Sequence, residues 1–366
     1  MLDGIGGQMN CPNYCCPKCK GTLTIDVPAS DGGAQRAYQC ARCVRDFPVI
    51  KGIPDFRVYS DPYIDLESDR LKGMRLAEKA SDMTFAELVA FYYSITPEVP
   101  PDLARYYLNH HIAGTTRGAG ILARFASYDL PLPSARHLVL DLGCGTGGFL
   151  AAAAPKTDAS LIGVDVAFRW LIVARKRLEE LGCNDAQLVC ACADYLPFPD
   201  QSIDAIVAEN LIEHVRDQSG LFAEIARVRR VDSAVLARTV NRFAIGPEPH
   251  VGVWGVGFLP RPLMNDYVKL VKGIPYEHIH LQSVRELHAS VTSSGQADLR
   301  VKCAVLNQQD YQHHPPHRQR LFKLYSRLAN NVALLRPALT NVGPYLDIVS
   351  TPQPVALPAA ENICKV

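Results

Sequence analysis

Two stretches of this 366-residue chain have residue types at spacings that can do chemistry. The first is Cys16-Pro-Lys-Cys19, followed after twenty residues by Cys40-Ala-Arg-Cys43. Each pair is a knuckle that presents two thiolates. Four thiolates close a tetrahedral Zn²⁺ site with no open coordination position, so the expected ion is structural and supplies folding energy to a segment too small for a core. Cys11 and Cys15 leave the register open, and Cys15 is the alternative to Cys16, although the Cys-Pro-x-Cys form favours Cys16. The second stretch is Val139-Leu-Asp-Leu-Gly-Cys-Gly-Thr-Gly-Gly148. Its alternating Gly143, Gly145 and Gly147 let the backbone turn tightly and let a ligand approach closely. A turn built for pyrophosphate spaces its glycines as G-x-G-x-x-G. Here Asp141 stands two residues before the first glycine, and a carboxylate there suits a cationic amine better.

The elements that position these residues follow from apolar periodicity. Residues 137–142, 160–164, 187–191, 203–208 and 233–240 are apolar strands, with helices expected over 147–154, 168–181 and 219–227 between them. This alternation predicts a mostly parallel sheet with helices on both faces. Two further strands are expected near the end, at 298–306 and 345–351, around a helix at 317–335. Pro315-Pro316, Pro352 and Pro354 mark loops. Residues 58–130 form helices at 65–80 and 84–93 and one or two more within 102–128. The expected organisation is a small cysteine-rich unit at 1–57 with strands at 22–27 and 37–39, a helical linker or lid at 58–130, and an α/β domain at 131–366.

The glycine-rich stretch resembles the first motif of class I S-adenosylmethionine-dependent methyltransferases, nearest the branch that includes ubiquinone-biosynthesis enzymes. Three later segments match in the same order: Gly163-Val-Asp165, Cys192-Ala-Asp194-Tyr-Leu-Pro-Phe-Pro and Ser202-Ile-Asp204 through His214-Val. The resemblance implies a Rossmann-like fold, its sheet mostly parallel with the last strand antiparallel, that binds S-adenosylmethionine and releases S-adenosylhomocysteine. It implies cofactor contacts at Asp141, Gly143, Cys144, Gly145 and Gly147 for the methionine part. Asp165 and Val166 would serve the ribose, Ala193, Asp194 and Tyr195 the adenine, and Glu209 and Asn210 the side facing the methyl group. The fifth-strand entry, Val231-Asp-Ser-Ala, lacks the glycine that branch usually shows. Lys20-Gly-Thr-Leu and Phe47-Pro-Val-Ile-Lys-Gly-Ile-Pro54 make the N-terminus similar to the zinc-ribbon proteins that activate RNA and protein methyltransferases. A ribosomal-RNA guanine methyltransferase family has a similar order of parts.

The acceptor side is expected in the loop after the fifth strand, where Arg242, Glu248, His250, Trp254 and Phe258 fall on the carboxyl edge of the sheet, with Tyr276 in a later loop. His250 and His214 are candidate general bases, and Glu213 and His214 are alternatively caps of the next helix. The formal net charge of +1 disfavours a nucleic-acid coat protein. A basic run at 300–336, with seven Lys or Arg, one acid, His313, His314 and His317, is the one clear asymmetry. Every apolar run is too broken to span a membrane and no signal pattern precedes Asn10, so the expected place is the cytoplasm and no membrane partner is expected. The leading expectation is O-, N- or C-methylation of a small biosynthetic molecule by in-line displacement. The alternatives are methylation of ribosomal or transfer RNA, with the ribbon on RNA, and a non-catalytic methyltransferase-like scaffold. Oligomeric state is not encoded in any motif.

Overall fold

The computed structural model describes residues 13–27, 36–312 and 316–351; Cys11, His313, His314, Pro315, Pro352 and Pro354 lie outside them. The cysteine-rich unit is a four-stranded antiparallel sheet of β1 (Thr24–Val27), β2 (Arg36–Cys40), β3 (Arg45–Ile50) and β4 (Ile53–Pro54). Four helices follow: α1 (Leu66–Lys79), α2 (Phe85–Ser94), α3 (Pro101–Ile112) and α4 (Gly114–Ser127). Asp65 caps α1 by accepting from Ser68 N, and Thr84 with Glu87 closes a capping box on α2.

The α/β part runs β5 (Leu138–Leu142), α5 (Gly148–Ala153), β6 (Ser160–Asp165), α6 (Phe168–Glu180), β7 (Gln187–Cys190), β8 (Ile203–Glu209), α7 (Gln218–Val228) and β9 (Arg229–Val240). It continues through α8 (Arg261–Lys272), α9 (Val284–Ser293), β10 (Leu299–Cys303), α10 (Gln308–Tyr311), α11 (Pro316–Asn331), α12 (Arg336–Val342) and β11 (Tyr345–Ser350). The seven-stranded sheet has the order β10-β11-β9-β8-β5-β6-β7. β5 to β9 are parallel, and β11 inserts antiparallel between β9 and β10. This is the mostly parallel sheet expected from the alternation of elements, in the Rossmann-like class that the resemblance implies.

Successive strand residues face opposite sides, so each strand feeds two cores. Leu140, Leu142, Ile162, Val164, Ile206 and Ala208 face one, while Val139, Leu161, Ala205 and Val207 face the other. Burial on both faces is why these strands read as continuous apolar runs. Strand order reverses at β5, which leaves a crevice beyond the carboxyl ends of β5, β6 and β8, where open α/β sheets hold ligands.

Three local expectations are corrected. β3 and β4 go beyond the two strands expected in the cysteine-rich unit; Pro48 and the two-residue length of β4 hid them. α7 passes straight into β9, with Arg229 taking extended backbone, so no glycine turn is needed there. The helix expected over 317–335 stops at Asn331 and restarts after a short turn as α12.

The cysteine-rich sheet and the helices after it are fastened to the seven-stranded sheet and its helices. The Asp55 bridge to Cys190 and the bond from Phe56 N to Cys190 O (2.7 Å) extend the ribbon along β7 and cover that sheet edge. α4 meets α5 through glycines: a Cβ at Gly148 would lie 2.6 Å from Gly114 O, and one at Gly118 would strike the Gly148 carbonyl. Gly118→Ala should therefore lower stability by roughly 1–3 kcal/mol, against the usual gain of replacing a helical glycine. Thermal unfolding beside wild type measures this; an unchanged or raised midpoint would mean the contact yields freely.

Candidate active site

The glycine turn is built by left-handed backbone. Gly143, Gly145 and Gly147 have φ of 77°, 49° and 72°. A Cβ at Gly145 would meet nothing within 4 Å, so this turn faces open space in the crevice. Gly143 N and Cys144 N both bond Val164 O, at 2.8 and 3.0 Å, tying the turn to β6.

Three acids converge at the strand ends. Asp165 accepts from Gly145 N (2.8 Å) and Ala167 N (2.9 Å), and burial lifts its pKa to about 6. Asp141 is buried at the end of β5, and no donor or cation among the described residues meets its carboxylate. Burial, then Asp165 and Glu209, hold its pKa well above the ordinary carboxylate value. Glu209 is held by the buried Arg124, which also bonds Asp310 at 2.7 Å. Asn210 takes a left-handed φ of 52°, a conformation Asn tolerates, and its N bonds Arg238 O.

Opposite these acids stand cations that sequence reasoning did not single out. Arg117 on α4 donates to His110 O at 2.6 Å and pairs with no carboxylate among the described residues. Arg177 bonds His111 O, Thr115 Oγ1 and Thr146 Oγ1 of the glycine turn. Burial and then Arg117 push Arg177 down to about 9. An acid that lacks a cation and cations that lack acids, placed around one turn, fit a zwitterionic amino-acid group with a further positive centre.

On the other side of the crevice, Asp194 accepts from the hydroxyl of Tyr59, whose ring stands edge-on to Tyr195 at 6.2 Å. Ala193 is half-buried beside them. Val166 O receives Arg57 Nη1 at 3.0 Å. Arg57 belongs to a buried network in which it also bonds Asp55 and Asp69, while Arg169 bonds Asp69 and Asp61.

A second polar cluster lies where β8 and β9 end. His250 Nδ1 is bonded to Glu248, and His250 Nε2 is 3.8 Å from Glu213 Oε1. Glu213 is fully buried; its Oε2 accepts from Thr239 at 2.8 Å and its Oε1 has no hydrogen-bond partner. Burial opposes charge on His250, but Glu248 and then Glu213 outweigh it and raise its pKa. His214 stands edge-on to His250 with ring centroids 4.8 Å apart, and burial lowers its pKa to about 3, leaving a neutral ring. One ligand atom from each of Glu213, His214 and His250 lies within 4.8 Å of the others, close enough to share an ion. Tyr276 is buried there, its hydroxyl unpartnered. Tyr107 donates to His250 O at 3.4 Å, bringing α3 over the cluster. The cap of α7 is Asp217, which accepts from Gly220 N, so Glu213 and His214 are free of that role.

The remaining predicted acceptor residues fall elsewhere. Arg242 donates to Gly257 O and Leu259 O, at 3.0 and 3.2 Å, and thus braces its own loop. Trp254 and Phe258 are 61% and 57% exposed, on the outer surface of that loop.

The thiols of Cys16, Cys19, Cys40 and Cys43 cluster within 4.8 Å, and Cys15 is outside the group. A tetrahedron with Zn–S bonds of about 2.3 Å has edges of about 3.8 Å. The Cys16–Cys43 and Cys19–Cys40 sulfur separations of 3.9 and 3.5 Å suit such an ion.

Residues 139–232 match the family model described as a methyltransferase domain. Ubiquinone biosynthesis O-methyltransferase of Thiobacillus denitrificans is 34% identical over 152 residues, 39% of this chain and 62% of that protein. Demethylmenaquinone methyltransferase of Roseiflexus castenholzii is 35% identical over 120 residues, 32% of this chain and 49% of that protein. The chain thus spans about half to three-fifths of the length of these relatives. A solved structure, phosphoethanolamine N-methyltransferase 2 of Haemonchus contortus in complex with S-adenosyl-L-methionine, overlays with a TM-score of 0.44 at 21% identity, covering 65% of this chain and 52% of that one.

Proposed function

Because this chain carries a class I S-adenosylmethionine-dependent methyltransferase domain, we propose that it methylates a hydroxyl oxygen of a small-molecule acceptor. The observation that carries the choice of a hydroxyl is His250, braced by Glu248 and faced by Glu213 at the carboxyl edge of the sheet. A neutral alcohol or phenol must lose its proton as it attacks, and an imidazole whose far nitrogen is bonded to a carboxylate is built to take it.

When bound, S-adenosylmethionine supplies an electrophilic methyl group on a sulfonium. Arg117 holds the methionine carboxylate, and Asp141 holds the ammonium. Asp165 accepts the ribose hydroxyls, and Asp194 accepts from the adenine amino group. Glu209, fixed by Arg124, places negative charge on the methyl side of the crevice. The acceptor oxygen enters beside His250, which receives its proton at the ring nitrogen facing Glu213. Tyr107, whose hydroxyl donates to His250 O, covers this side, and alignment does most of the remaining work. The four cysteines hold a structural zinc that stabilises the ribbon.

This reading fixes a pH dependence of cofactor binding. Asp165 must be ionised to accept two hydroxyls, and its pKa is about 6. Protonation of Asp165 should make affinity for S-adenosylhomocysteine fall as pH drops through that value, by about tenfold at about pH 5, and the raised pKa of Asp141 adds a further dependence of the same sign. Calorimetric titration across this range measures it. The Asp165→Asn variant should bind weakly and lose the inflection near pH 6; a wild-type affinity independent of pH would contradict the role given to Asp165.

A further inference from the structure

The strap that leaves the ribbon continues past the sheet edge into the crevice. Phe56 is fully buried and anchors it, with ring centroids 5.1, 5.2 and 5.4 Å from Tyr14, Tyr38 and Phe47. Cys16 and Cys40, two of the clustered thiols, share that core. Arg57 then ties the strap to Asp69 of α1 and to Val166 O beside the ribose acid. Two residues on, Tyr59 O accepts from Cys192 Sγ at 3.6 Å, and the Tyr59 hydroxyl reaches Asp194. The strap therefore runs alongside the loop that follows β7, fastened before and after Val58.

We propose that Tyr59 is a positioning residue of the cofactor site: its hydroxyl holds one oxygen of Asp194 so that the other is aimed at the adenine amino group. This rests on the cofactor reading above. A carboxylate without that bond can rotate about its side-chain torsions, and the broad terminal torsion of Asp gives little resistance. The bond to Tyr59 removes this freedom before the ligand arrives, and preorganisation of that kind appears as affinity. It also gives the ribbon a part in ligand binding: the ribbon anchors Phe56, Phe56 anchors the strap, and the strap presents Tyr59. Nothing in the glycine turn or the later methyltransferase motifs contains this residue, because it lies 135 positions before the acid it holds.

The test is calorimetric binding of two ligands to the full chain: S-adenosylhomocysteine, and its analogue with unsubstituted purine in place of adenine. Tyr59→Phe keeps the ring and its contact with Tyr195 and removes the hydroxyl alone. It should weaken S-adenosylhomocysteine about tenfold, the usual worth of one hydrogen bond to a charged group, and change the purine analogue less than about twofold. Asp194→Ala should show the same selectivity, and the double variant should lose little more than Asp194→Ala alone. Equal losses for both ligands would mean that Tyr59 only supports the fold, and no loss for either would mean that Asp194 needs no holder; both outcomes overturn the proposal. Failure of the wild-type protein to bind S-adenosylhomocysteine would instead overturn the functional reading on which it rests.

Discussion

Replacing His250 with glutamine should lower the methylation rate by about 10²–10⁴-fold, the range spanned by a well-placed general base. The pH profile should change with it. Glu248 and Glu213 raise the pKa of His250 above its ordinary 6.5. The neutral ring therefore gains population as pH rises through that raised value, and the wild-type rate should climb over the same range and then level. His250→Gln should be flat there, with affinity for S-adenosylhomocysteine unchanged. Glu248→Gln should shift the wild-type inflection downward, since it removes the main group favouring the charged ring. A rate and profile unaltered in His250→Gln would remove the base from the account. The same shift has a stability consequence of definite sign. Protonated His250 stabilises the fold below its unfolded pKa, and this contribution is lost as pH rises through the folded one.

The largest effect on stability is expected at Asp69. Its carboxylate is buried between Arg57 and Arg169, at 2.6 Å from each, and also accepts from Phe168 N at 2.8 Å. Both guanidiniums are almost entirely shielded from water, so removing the acid leaves two buried cations short of a counter-charge. Asp69→Ala should cost about 3–5 kcal/mol, as breaking one partner of a buried pair does. The Arg230–Asp204 pair supplies the contrast: Arg230 is largely exposed, and Arg230→Ala should cost less than about 1 kcal/mol. Thermal or urea unfolding of the two variants beside wild type compares them directly. Equal small losses would show that water reaches the Asp69 network. The network joins the ribbon strap, α1 and the start of α6, so its loss should also loosen the loop that carries Asp165.

What could be read ahead of the structure was whatever local spacing dictates. The glycine turn, Asp141 and Asp165 are set by a strand, a turn and a helix in immediate succession, and the clustering of four thiols by two Cys-x-x-Cys knuckles. Apolar runs buried on both faces marked β5, β6 and β8 clearly. Residues whose roles depend on chain segments far apart were not legible. Arg117 sits in α4 with no motif around it, and what marks it is the lack of a carboxylate partner among the described residues. Tyr59 and Tyr107 reach the crevice from elements that pack beside it through tertiary contacts, with no sequence period to signal them. The loop after β9 was marked by residue type alone. There Trp254 and Phe258 are largely exposed, and Arg242 donates to Gly257 O, Leu259 O and Glu286. The lone signal there that pointed to chemistry was Glu248 two residues before His250, a spacing that lets a turn bring carboxylate and ring together.

The most direct test of the central claim is transfer of label from methyl-labelled S-adenosylmethionine into a cell extract, with the products separated into small-molecule, nucleic-acid and protein fractions. Label is expected in the small-molecule fraction as an alkali-stable methyl ether, lost in His250→Gln. Label recovered in RNA, or in the small-molecule fraction at undiminished rate with His250→Gln, would contradict it.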